Sequence, residues 1–81
     1  MMTLDKCPVD RCGRVTTIAA PGAVSQRLMA MGFLPGEAVR VVRVAPLGDP
    51  ITVALGDWRV SLRRSEASLV EVESPGDEPF R

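Results

Sequence analysis

Residues 27–44 read RLMAMGFLPGEAVRVVRV. The segment begins as a helix, is interrupted by a glycine and then by Pro-Gly, and ends as a valine-rich strand. Val24, Leu28 and Met31 are spaced i, i+4 and i+7, which places them on one face of a helix. Gly32 follows the last of them, where a helix C-terminus favours a glycine with positive φ. The stretch therefore predicts a short helix that ends at Gly32.

The chain after this helix is predicted to turn and then to form a bent strand. Pro35 and Gly36 suit the centre of a type II turn, because proline presets the first φ and glycine accepts the positive φ that follows. Residues 38–44 then alternate valine and arginine, but the alternation changes parity between Val41 and Val42. A strand that keeps its valines on one face across such a change must bend or bulge. Small barrels need this bending at their corners.

The rest of the pattern is that of a small β protein. We expect further strands at 13–19, 51–55, 58–63 and 69–72 and a single helical turn at 64–67. With about five strands, one inserted short helix and one helical turn near the C-terminus, the class is mainly β and the architecture a small barrel. Leu28, Met31 and Phe33 are expected to fill its mouth. Residues 1–73 would form the one domain, and residues 74–81 a flexible tail.

Length and charge exclude several classes of protein. At 81 residues the chain holds one domain. Ten basic and ten acidic residues cancel overall, but four of the acidic residues lie near the C-terminus, so the predicted barrel is mildly cationic. The first residues lack the apolar core of a signal peptide, and no apolar run approaches the roughly 20 residues of a membrane span. A cytoplasmic protein is therefore expected.

The sequence offers little catalytic or metal-binding chemistry. It contains no histidine, and Cys7 and Cys12 have a C-x4-C spacing that fits neither a zinc half-site nor a thioredoxin-like motif. We interpret them as ordinary reduced thiols. Asp49, between Gly48 and Pro50, is interpreted as a turn-capping residue. The acidic residues are dispersed and no nucleotide-binding glycine motif occurs. The expectation is a protein that is not an enzyme, with no cofactor and no tightly bound metal.

Taken together, four stretches carry a resemblance to a known family. They are RLMAMGF, the turn LPG, the segment VRVVRVAPLGDPI and the segment SLRRSEASLVEV. In order and spacing they resemble the bacterial ferrous iron transport protein A family, FeoA, over about residues 13–72. The matching positions are Arg27, Leu28, Met31, Gly32, Phe33, Pro35, Gly36, Ala45, Pro46, Gly48, Pro50, Leu62, Arg63 and Ala67. The first dozen residues depart from the family pattern.

This resemblance implies a fold, a role and a partner. The fold would be an SH3-like barrel. The role would be a non-enzymatic accessory of bacterial ferrous iron uptake, and the partner the inner-membrane ferrous iron transporter, which carries a cytoplasmic G-protein domain. The protein would bind that transporter and support or regulate it.

Candidate residues for such binding are those that the predicted core does not use. Met29 and Leu34 are apolar but lie off the core stripe, and Leu47 lies at a loop tip; Arg43 and Arg59 point outward from their strands. Single exposed apolar residues are common and arginines often only face solvent. The alternative is an apolar docking patch with an arginine rim, a composition typical of interfaces.

A second function remains open, that of an SH3-like nucleic-acid-binding module that uses the same arginines. The zero net charge, the acidic C-terminal end and an expected lack of surface aromatic residues weigh against it. Binding of proline-rich peptides is a weaker alternative, because their grooves are lined with several aromatic side chains and Trp58 is the only tryptophan.

Overall fold

The computed structural model describes residues 2–73, and the tail predicted at 74–81 lies outside them. Strands β1 to β6 span Met2–Thr3, Cys12–Ile18, Ala38–Val44, Ile51–Leu55, Trp58–Leu62 and Val70–Glu73. Helix α1 spans Gly22–Ala30, helix α2 spans Arg64–Ala67, and a 3₁₀ turn spans Leu4–Lys6. The mainly β class, the inserted helix and the helical turn are confirmed.

The strands form one antiparallel sheet in the order β1-β6-β2-β3-β4-β5. Its pairing is irregular at two places, between Val15 and Thr17 in β2 and between Val41 and Arg43 in β3. The second irregularity confirms the bulge predicted from the parity change at Val42. Bulges increase the local twist of a strand and curve the sheet around a core.

The core is aliphatic apart from one phenylalanine. Its buried members come from every strand except β1, and from both helices and the chain around them: Leu4, Val15, Ile18, Leu28, Phe33, Val39, Val41, Ile51, Val53, Leu55, Leu62, Ala67, Val70 and Val72. Leu4 was not expected there. It lies in the 3₁₀ turn that follows β1, and β1 pairs with β6. The first residues thus belong to the fold, and the sheet has six strands rather than about five.

The end of α1 has the geometry of a Schellman motif. Gly32 has a φ of 116°. Its N–H donates to the Met29 carbonyl at 3.0 Å, and the Phe33 N–H donates to the Leu28 carbonyl at 3.2 Å. Leu28 and Phe33, the two positions that pack together in this motif, are both completely buried in the core. The motif ends the helix and inserts Phe33 into the core in the same step.

The turn after Phe33 is the predicted type II turn. Gly36 has a φ of 89°, and the Glu37 N–H donates to the Leu34 carbonyl at 2.9 Å. The turn is also bonded to β2. The Gly36 N–H donates to the Val15 carbonyl at 2.7 Å, and the Val15 N–H donates to the Glu37 carbonyl at 2.9 Å. The junction between α1 and β3 is therefore held at both of its bends.

Two side chains differ from expectation. Met31 is only half-buried, so Leu28 and Phe33 fill the space that all three were predicted to share. Trp58 is 63% exposed, although the alternation of β5 places it on the same side as buried Leu62. Both residues lie at the rim of the core rather than within it.

Candidate protein-docking site

A shallow depression joins the end of α1 to the β4–β5 hairpin. It encloses about 340 Å³ and is lined by Ala30, Met31, Gly32, Leu34, Glu37, Leu55 and Trp58. Most of this lining is apolar. Leu34 is 47% exposed and Trp58 63% exposed, so two large apolar side chains meet solvent at this depression. Two exposed apolar side chains at one depression make it a candidate interaction site.

Two backbone turns bring these side chains together. The Schellman motif reverses the chain at Gly32, and an ideal Cβ at that glycine would lie 3.1 Å from the Leu55 Cδ1 atom. The end of α1 therefore lies close to the β4–β5 hairpin. On the other side, Gly56 has a φ of 63° in a two-residue turn that pairs Leu55 with Trp58. A positive φ at the first central position is typical of a type II′ hairpin.

The arginines of the sheet share its outer face, opposite the core. Across the sheet, Arg40 lies opposite Ala54, and Ala54 lies opposite Arg59. Arg43 stands in the neighbouring row and is exposed, as is Arg59. Arg40 is partly covered and forms an ion pair with Asp10, its Nη1 atom 3.3 Å from the carboxylate Oδ1.

Leu47, by contrast, lies at the other end of the sheet. The loop that contains Leu47 precedes Ile51, the first residue of β4. Leu55, which lines the depression, is the last residue of that strand. A five-residue strand separates these ends by about 13 Å. Leu47 is 95% exposed, and the neighbouring Gly48 carbonyl accepts a hydrogen bond from Arg64 Nε at 3.0 Å. The candidate partner-binding residues thus do not form one patch.

Met29 occupies a third position. It is 38% exposed on α1 and does not line the depression. Of the five candidates, Leu34 lines the same depression as Trp58, and Arg43 and Arg59 lie on the outer face of the sheet. Met29 and Leu47 lie apart from these three residues.

Trp58 is the exposed residue of this site that the sequence analysis did not identify. Its place directly after the two-residue Gly-Asp turn is not a sufficient signal, because Leu55 stands directly before the same turn and is buried. The exposure of Trp58 depends instead on the position of β5 at the edge of the sheet.

Metal ligands do not cluster in the part of the chain that the structure describes. Within residues 2–73 no three cysteine, aspartate or glutamate side chains are arranged so that they could hold a metal ion. Cys7 is half-buried and packs against the core. Asp49 was expected to cap its own turn, whereas its Oδ1 atom accepts a hydrogen bond from the backbone N–H of Arg64, at the start of α2, at 3.0 Å. Over the same residues no helix is both long and apolar enough to cross a membrane.

Comparison with known proteins supports the resemblance seen in the sequence. The model of the FeoA domain family matches residues 2–74. The chain belongs to the FeoA domain family. Proteins of this family are linked to ferrous iron transport, and the match includes the first dozen residues, which depart from the motif pattern but join the fold.

A curated relative places this domain beside a transporter. The Fe(2+) transport protein A/Fe(2+) transporter FeoB fusion protein of Porphyromonas gingivalis is 39% identical over 59 residues. The match covers 73% of this chain and 7% of the relative, so the chain corresponds to a small part of that fusion protein.

Solved structures of FeoA proteins share the fold. The FeoA protein of Chlorobium tepidum is 40% identical with a TM-score of 0.86, over 95% of this chain and 74% of that one. FeoA of Stenotrophomonas maltophilia, a prokaryotic SH3-domain protein solved in complex with zinc, is 38% identical with a TM-score of 0.79. That match covers 90% of this chain and 91% of the other. The FeoA domain described here is therefore SH3-like, as expected.

Proposed function

We propose that this FeoA-domain protein is a non-enzymatic, cytoplasmic accessory of bacterial ferrous iron uptake. It binds the inner-membrane FeoB-type transporter by protein–protein contact and supports or regulates it. The observation that carries the proposal is the fusion protein of P. gingivalis, in which a related domain and an FeoB transporter form one chain. Fusion raises the effective concentration of one module near the other, often to the millimolar range. A separate chain needs a binding surface to reach the same arrangement.

The side chains of this protein favour binding over catalysis. The sequence contains no histidine. Around β5, exposed apolar and cationic side chains instead lie on the two faces of the sheet: Leu34 and Trp58 line a depression, and Arg59 occupies the outer face. Tryptophan and arginine are the residues most enriched among the strong contacts of protein interfaces.

The partner-binding surface is proposed to include Leu34, Arg43 and Arg59, with Met29 and Leu47 as separate candidates. Since Leu34 and Leu47 lie at opposite ends of β4, charge substitutions at the two positions locate the contact. Both side chains are exposed, at 47% and 95%, so Leu34→Asp and Leu47→Asp should each change the free energy of unfolding by less than about 0.5 kcal/mol.

The test is capture of the purified protein by the detergent-solubilised transporter, with and without guanine nucleotide, together with ferrous iron uptake in cells that lack the native protein. Wild type should be captured and restore uptake. Leu34→Asp should lose both while remaining folded, and Met29→Asp and Leu47→Asp report whether the contact extends along α1 or to the far loop. A wild-type protein that neither binds the transporter nor alters uptake would refute the proposal.

The second candidate function is nucleic-acid binding. The exposure of Trp58 gives it more support than the sequence did, because an exposed aromatic ring can stack on a base. The net charge of zero still weighs against it. Gel-shift titrations at increasing salt separate the two functions, since affinity for phosphates falls steeply as salt rises.

A further inference from the structure

Strand β5 is an open edge of the sheet. It is the last strand in the sheet order and pairs only with β4. The two-residue turn makes Leu55 and Trp58 a hydrogen-bonded pair, and bonded and non-bonded pairs alternate along an antiparallel ladder. Arg59 and Ser61 therefore direct their N–H and C=O groups away from β4.

These four backbone groups have no partner within residues 2–73. No turn, loop or side chain of that part of the protein donates to them or accepts from them. The opposite edge of the sheet is different, because β1 contains only two residues. Of the two edges, β5 alone offers a row of five residues. Exposed edges of this length are templates for an additional strand, and proteins usually protect them.

We propose that this edge is where the partner docks, by adding an extended segment of its own chain to β5. This inference rests on the proposed function, because it takes the FeoB-type transporter as the partner. The segment would alternate apolar and acidic side chains. Backbone hydrogen bonds to Arg59 and Ser61 would supply much of the affinity, and the side chains on its two faces would supply the specificity.

The inner face of the added strand must be apolar. Trp58 stands on the same side of β5 as Val60 and Leu62, and it lines the depression with Leu34 and Leu55. An inward-pointing side chain of a strand beside β5 would lie next to Trp58 and cover it. Glu37 also lines this depression, so an acidic group would be repelled there.

The outer face of the added strand must be acidic. Arg59 is exposed on that face of β5. Arg43 lies on the same face, opposite Thr52 of β4, which in turn lies opposite Ser61 of β5. Oppositely charged cross-strand neighbours stabilise a sheet and like charges destabilise it. A second copy of this protein would fit poorly for the same reason. If the β5 strands of two copies paired with each other, Arg59 and Arg63 of one copy would lie close to Arg59 and Arg63 of the other, and these like charges would repel.

The backbone part of the proposal is tested at Ser61. Ser61→Pro removes the outward N–H and leaves the bonds from β4 to Trp58, Val60 and Leu62, a position where an edge strand tolerates proline. Ser61→Ala is the matched control, since it also loses the hydroxyl that bonds Thr52 but keeps the N–H. Affinity for the solubilised transporter should fall about tenfold in the proline variant and remain within about twofold in the alanine variant.

The charge part is tested with a peptide in place of the transporter. The probe is a capped peptide of alternating glutamate and valine, as long as β5, and its counterpart replaces glutamate with lysine. In two-dimensional NMR spectra the acidic peptide should shift the amide signals of Arg59, Val60 and Ser61, and the basic peptide should not. Arg59→Glu should reverse this preference, whereas Lys6→Glu, an equal charge change on the 3₁₀ turn, should leave it unchanged.

The outcomes separate the two proposals. If the transporter captures wild type, Ser61→Pro and Arg59→Glu equally well and the acidic peptide shifts no β5 signal, the docking edge and the part of Arg59 in binding are refuted, and the function as a transporter accessory stands. If the acidic peptide binds at β5 as described but the transporter never captures the protein, the edge is a docking site and the proposed function is refuted. Should Ser61→Pro unfold, the peptide preference and its reversal by Arg59→Glu decide.

Discussion

The two sides of the helix-to-strand junction are built from the same kinds of residue and have opposite surroundings. Leu28 and Phe33 are completely buried, while the residues that directly follow them, Met29 and Leu34, are 38% and 47% exposed. The inner side closes the core through the Schellman motif. The outer side contributes Leu34 to the depression beside Trp58.

This difference shows that apolar character alone does not identify the core. In a helix successive side chains lie about 100° apart, and in extended chain they point to opposite faces, so neighbours in sequence can face core and solvent. The inner residues determine stability. The outer ones are available to a partner, and substitutions on the two sides should therefore have separable effects.

The largest effect is expected from a charge placed on the inner side. Leu28→Asp buries a carboxylate among aliphatic side chains, which costs several kcal/mol, comparable with the whole stability of a small domain at about 5 kcal/mol. The variant should be unfolded by circular dichroism at room temperature. Its control, Met29→Asp, should melt close to wild type. Equal loss of structure in both variants would remove the distinction between the two sides.

A smaller loss of stability is expected from the backbone of the junction. Gly32→Val places a β-branched residue at a φ of 116°, and its Cβ would meet the Leu55 Cδ1 atom at 3.1 Å. The free energy of unfolding in urea should fall by at least about 1–2 kcal/mol. Gly22→Val is the control, because nothing lies within 4 Å of a Cβ at Gly22. A Gly32→Val protein as stable as this control would contradict the prediction.

The loop that contains Leu47 differs from the junction because hydrogen bonds from Arg64 to Gly48 and Asp49 hold it in place. Asp49→Ala removes the side-chain oxygen that accepts a hydrogen bond from the backbone N–H of Arg64 at the start of α2. Unfolding free energy should decrease by about 1 kcal/mol, as for the loss of a helix-capping acceptor. Asp49→Asn retains an oxygen acceptor and should be close to wild type in the same urea titration. If the two variants are equally destabilised, the carboxylate charge and not the hydrogen bond stabilises the loop.

The smallest effect is expected from the ion pair on the outer side of the junction. Arg27 pairs with Glu66 of α2, but its side chain is 60% exposed. Exposed pairs of this kind contribute about 0.5 kcal/mol, and salt weakens them. Arg27→Ala should therefore reduce stability slightly in low salt, and a difference from wild type that persists in high salt would point to packing of the arginine chain instead.

Local backbone features were determined by the sequence alone. The helix end at Gly32, the turn at Pro35-Gly36, the strands Ala38–Val44 and Ile51–Leu55 and the bulge at Val42 all occur where the pattern predicts them. Each depends on interactions within a few residues, such as the φ values open to glycine and proline or the alternation of a pleated strand.

What only the tertiary structure decided is how these elements meet. Nothing near Leu4 in the sequence predicts its burial, which follows from the pairing of β1 with β6 about seventy residues away. The exposure of Trp58 follows from the position of β5 at the edge of the sheet, and the separation of Leu34 from Leu47 follows from the direction of β4 between them. These are long-range properties, set by which strands pair. Periodicity along the chain shows that a side chain faces one side of its own strand, but not whether another element covers that side.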